Sequence, residues 1–445
     1  MLAAYANCVR IPELRKRILF TLGVITLCRL AANIPCPGVD VNQAEALFAN
    51  MGQRGGGLLN MFDIFSGGAL QNFAVATLGI MPYITASIIL QLLMPVIPAL
   101  EKLHREGESG RQKINQYTRY LTLAVCVVHG VAATKLMMSP SLLTGSDAIQ
   151  VVANPGRFFM LTTVIILTAG TMLTVWLAEQ ITDRGIGNGT SIIITVNIVS
   201  RLPAALLGLI TLARAGGQTN IIHVLILLVM FFAVCAATVA LTQAVRKIPI
   251  RHAKRMVGRR MTAGQTSYLP LRLNFSGVMP LIFGSAILMF PRMLFGFVPF
   301  MRPWVRFFEP DSYSYMIMYG ATIIIFSYFW VATQFNPVQI ADNLQKQGGY
   351  VPGIRPGQPT ADYLDTVMTR ITLAGSLFLT AIAVIPMFLS GQFNIPYTIA
   401  AFFGGTSLLI MVGVMLDTLR QVEAYLLSHH YDGFLTKGHL RSRRG

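Results

Sequence analysis

The sequence predicts an all-α polytopic membrane protein with ten transmembrane helices, and three observations carry the prediction. Of 445 residues, 54% are apolar and 12% charged, about half the charged share of a soluble globular domain. Apolar runs long enough to cross a bilayer recur along the whole chain, which holds the mean hydropathy at +0.59. The 35 basic residues behind the net charge of +17 gather in the short connectors between those runs, where charge sets topology before it recruits partners.

A helix rises about 1.5 Å per residue, so a hydrocarbon core of about 30 Å takes roughly 20 mostly apolar residues. The first run, 18–34, follows Arg15, Lys16 and Arg17 much as the core of a signal peptide would. Arg29 interrupts it, however, and no small-residue cleavage site comes after. It is read as the first span, with Arg29 near enough to the far end to snorkel to the interface. Residues 58–70 (LLNMFDIFSGGAL) are apolar but too short to cross, and they carry Asp63 and a Gly67-Gly68 break. They read as a re-entrant, plugging half-helix that feeds a full span beginning at Phe73, the alternative being an amphipathic helix lying on the outer surface. The remaining spans of the first half are 73–96, 121–138, 158–178 and 190–209, and the second half contributes 221–244, 275–295, 313–335, 371–389 and 395–416. Gly185 to Gly189 (GIGNG) has no strand before it and is expected to cap the fifth span.

With the N-terminus in the cytoplasm, 26 of the 35 basic residues face that side, and an even number of spans returns the C-terminus to it. Division at the 209–221 connector gives two pseudo-symmetric five-helix halves, residues 1–215 and 216–445, a plan common among membrane transporters. The second half carries a basic tail and two long cytoplasmic loops. Loop 245–273 has eight basic residues and no acidic one, more than orientation requires. Loop 336–370 balances three basic against three acidic residues and is punctuated by Gly348, Gly349, Pro352, Gly353, Pro356 and Gly357, which suggests a shaped protrusion with defined turns.

Several function classes are disfavoured. Cys8, Cys28, Cys36, Cys126 and Cys235 show no CxxC spacing and read as packing residues. No phosphate-binding loop, HExxH pair or GxSxG elbow occurs, so neither an enzyme nor a bound cofactor or metal is expected. A solute carrier with inverted five-helix repeats is the alternative, but the acidic residues of the spans, Glu179 and Asp417, sit at span ends, and a coupled carrier normally needs a carboxylate at the midplane.

The succession of motifs RKRILF, PCPGVD, MFDIFSGGAL, LGIMPYITASIILQLL, REGESGRQKINQYTRY, ITDRGIGNGTSIII, IPIRHAKRMVGRR, FNPVQIADNLQKQGGYVPGIRPG and FFGGTSLLI resembles the SecY family of bacterial protein-conducting channels, nearly end to end. The resemblance implies two five-helix halves hinged like a clamshell, with a lateral gate between the second and third spans on one side and the seventh and eighth on the other. It implies a plug comprising Met61, Phe62, Asp63, Ile64, Phe65, Ser66, Gly67 and Gly68. Its pore ring falls on Ile80, Ile84, Thr190, Ile194, Ile282 and Ile410, and Thr190 departs from the usual aliphatic. One hydroxyl there either weakens the seal or bonds back to its own helix.

By the same resemblance, Arg246, Lys247, Arg251, Lys254, Arg255, Arg259, Arg260 and Arg355 are docking residues for the SecA motor and the ribosome. Function would be passage of unfolded precursors with signal sequences across the bacterial plasma membrane, and release of hydrophobic segments into membrane lipid. Partners would be the SecE and SecG subunits, SecA, the ribosome and other insertion factors.

Overall fold

A computed structural model of the chain describes residues 12–53, 63–138, 151–152, 154–214, 221–252, 256–257, 260–261, 266–297, 300, 302–308, 312–392 and 406–437. The chain divides into two compact units, Met1–Leu207 with Val414–Gly445, and Gly208–Gly413.

The first unit opens with α1 (Pro12–Asn33) and α2 (Val41–Gln53), followed after residues 63–80 by α3 (Met81–Leu93), α4 (Pro98–Arg105), α5 (Glu108–Met138) and α6 (Arg157–Arg184). Then come α7 (Gly189–Ser200) and α8 (Leu202–Arg214), the latter belonging to this unit as far as Leu207 and to the second beyond it. In lipid, apolar side chains gain nothing by leaving the acyl chains for one another, so small residues that let backbones approach do the packing. Buried threonines 118, 122, 134 and 174 serve this on α5 and α6, each donating its hydroxyl to the carbonyl four residues back. Leucines that water would drive inward instead face out: Leu19, Leu22, Leu27 and Leu30 of α1 are each more than half exposed. The GIGNG segment caps as expected, for Asn188 Oδ1 accepts from Ser191 N at 3.2 Å and opens α7.

The second span departs from expectation. Residues 73–80 form turns, and the helix starts only at Met81. Phe73 has φ +42°, a conformation bulky residues rarely hold, and its side chain is fully buried among Cys36, Leu47, Phe48, Leu70, Leu78, Met137 and Leu167. Its carbonyl accepts from Cys36 N at 3.0 Å, and Val75 N donates to Ile34 O at 2.9 Å, so the turns lie against the end of α1. At the other end α3 stops before Pro95 and Pro98, and α4 leaves at 104°. The half-helix expected over 58–70 is helical only at residues 63–66 and turns at 67–73, while 58–62 lie outside the described residues. Glycine accounts for the break, since Gly67, Gly68 and Gly79 all sit at positive φ.

The second unit contains α9 (Ile221–Gln243), α10 (Met279–Phe297), α11 (Arg302–Val305), α12 (Tyr313–Gln334), α13 (Pro337–Lys346) and α14 (Gln358–Gln392). Last comes α15 (Thr406–Lys437), which belongs to this unit as far as Gly413 and to the first beyond it. Tyr319, fully buried on α12, donates to Leu281 O at 3.3 Å and ties α12 to α10. Beyond Val414, α15 reaches α1: Tyr425 Oη donates to Glu13 Oε2 at 2.9 Å, which holds the phenol pKa above its ordinary value.

The connectors were expected as separate loops, and the structure joins them. Strands β1 (Val245–His252) and β4 (Thr266–Arg272) pair antiparallel, and β5 (Gly349–Tyr350) adds to the other side of β1 through Arg251–Tyr350 and His252–Gly349. A short pair, β2 (Met256–Val257) with β3 (Arg260–Met261), lies between them. Alternation on β1 turns Ile248 and Ile250 inward and leaves Lys247, Pro249 and Arg251 exposed. Ile248 then shares one core with Leu271, Val331, Phe335, Val351, Leu364, Val367, Met368 and Ile371, so loops 245–273 and 336–370 are one folded body on the ends of α12 and α14.

Among the described residues, six helices are long and apolar enough to cross a membrane, and a seventh span is made if α3 and α4 count as one bent segment. The α1 helix is long enough but carries Arg15, Lys16, Arg17 and Arg29, and the first half of the tenth expected span, 395–405, lies outside the described residues. Cys28, Cys36 and Cys126 are buried and Cys235 half-buried, all four as free thiols, and Cys8 lies outside.

Candidate functional site

Among the described residues, the first unit holds a polar interior at the seat of residues 63–70. Asp63 is 4% exposed, and an isolated carboxylate there would cost several kcal/mol. It is paired: Arg201 donates Nη2 to Asp63 Oδ2, and Gln71 N donates to Oδ1 at 3.2 Å. The Asp63 carbonyl accepts from Gly68 N at 3.0 Å and Ser66 Oγ at 3.2 Å, closing the turn on itself.

Two helices hold that turn. From α7, Asn197 Nδ2 donates to Phe65 O at 2.8 Å and Ser200 Oγ to Gly67 O at 3.4 Å. From α1, Arg29 Nη2 donates to Gly67 O at 3.0 Å while its Nη1 donates to Asn197 Oδ1 at 3.3 Å. Arg29 therefore does not snorkel as expected. Its guanidinium turns inward, where the Gly67 carbonyl and Asn197 Oδ1 replace the water it would otherwise seek. The fit leaves no room at Gly67 (φ +68°), where a Cβ would come 2.4 Å from Arg29 Nη1 and 3.0 Å from Asn197 Cα. At Gly68 (φ +94°) it would come 2.9 Å from the Arg201 guanidinium.

Of the expected plug residues, Asp63, Ile64, Phe65 and Ser66 are buried here, and Gly67 and Gly68 form the turn. Met61 and Phe62 lie outside the described residues. Asn197, Ser200 and Arg201 were not singled out from the sequence, although polar residues spaced i, i+3 and i+4 in an apolar run mark one helix face. Asp63, the buried carboxylate of this seat, lies on the segment between spans and not within one.

The expected ring residues divide between the units. In the first, Ile80 is 2% exposed and immediately precedes α3, with Ile84 half-buried one turn on. Thr190 and Ile194 stand one turn apart at the start of α7, and Thr190 Oγ1 donates to Asn188 Oδ1 at 2.6 Å, so its hydroxyl is satisfied at the helix cap. In the second unit Ile282 on α10 and Ile410 on α15 are buried.

The expected docking residues fall on the joined connectors. Arg246, Lys247 and Arg251 are exposed on β1, and Arg260 lies on β3 opposite Val257. Lys254, Arg255 and Arg259 lie outside the described residues. Arg355 is exposed between β5 and α14, its carbonyl accepting from Thr360 Oγ1 at 2.8 Å.

Comparison with known proteins places this arrangement. The SecY family model matches residues 74–419. The protein translocase subunit SecY of Chlamydia muridarum is 39% identical over 457 aligned residues, covering all of both chains. That of Escherichia coli K12 is 43% identical over 436 residues, covering 96% of this chain and 95% of its own. Among solved structures, a SecY protein whose plug domain is described as stabilizing the closed state of the translocation channel and maintaining a membrane seal superposes with a TM-score of 0.64 at 18% identity, covering 93% and 92% of the two chains. The chain belongs to the SecY family, and is thus a multi-pass membrane protein with the ten-helix, plug-bearing fold of protein translocase subunits. This sets aside the solute carrier.

Proposed function

We propose that the chain is the channel through which unfolded secretory polypeptides cross the bacterial plasma membrane, and from which hydrophobic segments pass sideways into lipid. The observation that carries this reading is the seated turn at 63–70, a segment packed into a helical unit by directional polar bonds where ordinary apolar packing would serve a permanent structural element. It is the plug. Residues Ile80, Ile84, Thr190, Ile194, Ile282 and Ile410 are, in this reading, the pore ring. Aliphatic side chains at a constriction give water nothing to bond, so the pore dewets against ions yet yields to a polypeptide. The satisfied hydroxyl of Thr190 leaves its methyl for that lining.

The channel itself performs no chemistry. Direction and energy come from partners that dock on the folded connector body, the SecA motor and the ribosome. Arg246, Lys247, Arg251 and Arg355 present exposed cations there to carboxylate or phosphate, and the resemblance to the family adds Lys254, Arg255, Arg259 and Arg260 to the docking set. SecE and SecG flank the bundle, both termini are cytoplasmic, and residues 1–215 and 216–445 act as the two halves of the clamshell.

Site-directed photocrosslinking of a precursor arrested in transit tests the ring. Probes at Ile84, Ile194, Ile282 and Ile410 should each form adducts with the precursor, and a probe at Ile317, which is 74% exposed on α12, should not. Adducts at Ile317 with none at the four ring positions would place the path elsewhere.

A further inference from the structure

Arg201 and Asp63 are 138 residues apart, and among the described residues no backbone pairing joins α7 to the plug. Beside the burial of Ile64, Phe65, Ala69 and Leu70, the directional bonds from α1 and α7 to the plug come from side chains: the ion pair of Arg201 just past the end of α7, a bridging asparagine, a serine and a second arginine. These groups make an unusual balance. Asp63 is almost wholly buried, while the Arg201 side chain is 22% exposed and Arg29 half-buried. Seated, the plug supplies the Asp63 carboxylate to the Arg201 guanidinium and the Gly67 carbonyl to that of Arg29, while its Phe65 carbonyl accepts from the Asn197 amide. Withdrawn, it strands both cations at the depth of the helical unit and carries a carboxylate away from its partner.

We infer that Asp63 and Arg201 form an ion-pair latch, oriented by Arg29 and Asn197, that sets how often the plug leaves its seat in this channel. The inference rests on the channel reading above and adds to it the residues that govern resting closure. Breaking one partner of a buried pair is far more costly than exchanging both for a matched pair, because the remaining charge is left without compensation. The latch therefore opens as a unit and not by gradual slippage: the geometry links Asp63 to Arg201, Arg201 to the approach at Gly68, and Arg29 through Asn197 to Phe65. Arg29, Asn197 and Arg201 are positioning residues for the plug and need not touch the passing chain.

The test is the resting ion leak of the purified full channel complex in planar bilayers, without precursor, with SecA-driven precursor transport measured on the same preparation. Asp63→Asn and Arg201→Gln should each raise the leak by about tenfold or more. The exchanged pair Asp63→Arg with Arg201→Asp should return it to within about threefold of the parent, and Arg201→Lys, which keeps the charge, should stay near the parent. Parental leak in both single variants would overturn the latch, as would single variants whose leak the exchanged pair fails to reduce. Should a single variant fail to insert, Arg201→Lys and the exchanged pair still decide the matter, since a leak in both as large as in the remaining single variant contradicts a charge-based latch. Failure of the unmodified complex to move precursor would instead overturn the channel reading, so the two failures are distinguishable.

Discussion

Replacing Gly67 with alanine should raise the resting leak of the channel by about a hundredfold and let precursors with defective signal sequences pass. The turn holds Gly67 at φ +68°, which costs any residue with a Cβ about 1–2 kcal/mol. That Cβ would come 2.4 Å from Arg29 Nη1, 2.9 Å from Asn197 Oδ1 and 3.0 Å from Asn197 Cα. An arginine tip can ordinarily swing aside, but here it is bonded to both the Gly67 carbonyl and Asn197, and the Cα behind it belongs to α7 backbone. Displacing Arg29 forfeits a charge-assisted bond of about 1.5–3 kcal/mol. Together the two effects reach about 3 kcal/mol, which at 1.4 kcal/mol per decade is the expected hundredfold shift toward the unseated plug. Single-channel recording and a signal-defective precursor supply the readouts. Parental leak and parental signal stringency in Gly67→Ala would show that this turn does not seal the pore.

Changing Arg355 to glutamate should reduce SecA-driven transport by at least about tenfold while leaving the complex as stable in detergent as the parent, within about 0.5 kcal/mol. Pro356 restricts the backbone of Arg355 to extended geometry, and the loop is secured by the carbonyl of Arg355 and not by its side chain. The side chain is exposed and, among the described residues, its guanidinium has no ion-pair partner. A charge reversal there removes little from the fold but turns attraction into repulsion at a carboxylate or phosphate surface. Transport at the parental rate would remove Arg355 from the docking contact. Loss of stability together with transport would give it a structural role instead.

Much of the architecture was legible because lipid imposes a simple rule: each crossing needs an apolar run of set length. Span 158–178 lies within α6, which continues past it to Arg184, and span 313–335 matches α12 to within one residue. What local pattern could not reveal were interactions closed over long stretches of chain. Residues 73–80 are apolar enough to extend a helix, yet they turn, because Cys36 and Ile34 supply backbone partners from a distant segment. The sequence VRKIPIRH alternates in the manner of a strand, but its cations drew attention first, and its pairing with Gly349–Tyr350 has no local signal. Arg29 looked like an interfacial residue for the same reason. Its partners, Gly67 and Asn197, lie on other elements, and only tertiary structure brings a stranded cation its acceptors. The glycines at 67 and 68 were the readable part of the plug, and the polar face of α7 that receives it was present in the sequence without a reason to be noticed.

The function of this chain is the conduction of polypeptide. Its most direct measurement is the transfer of a signal-bearing precursor into sealed vesicles containing the purified, reconstituted complex, with SecA and ATP supplied outside. Precursor protected from added protease, dependent on ATP and on an intact signal sequence, is the predicted result. Precursor that stays wholly digestible, in vesicles where the complex is inserted and all partners are present, would contradict it.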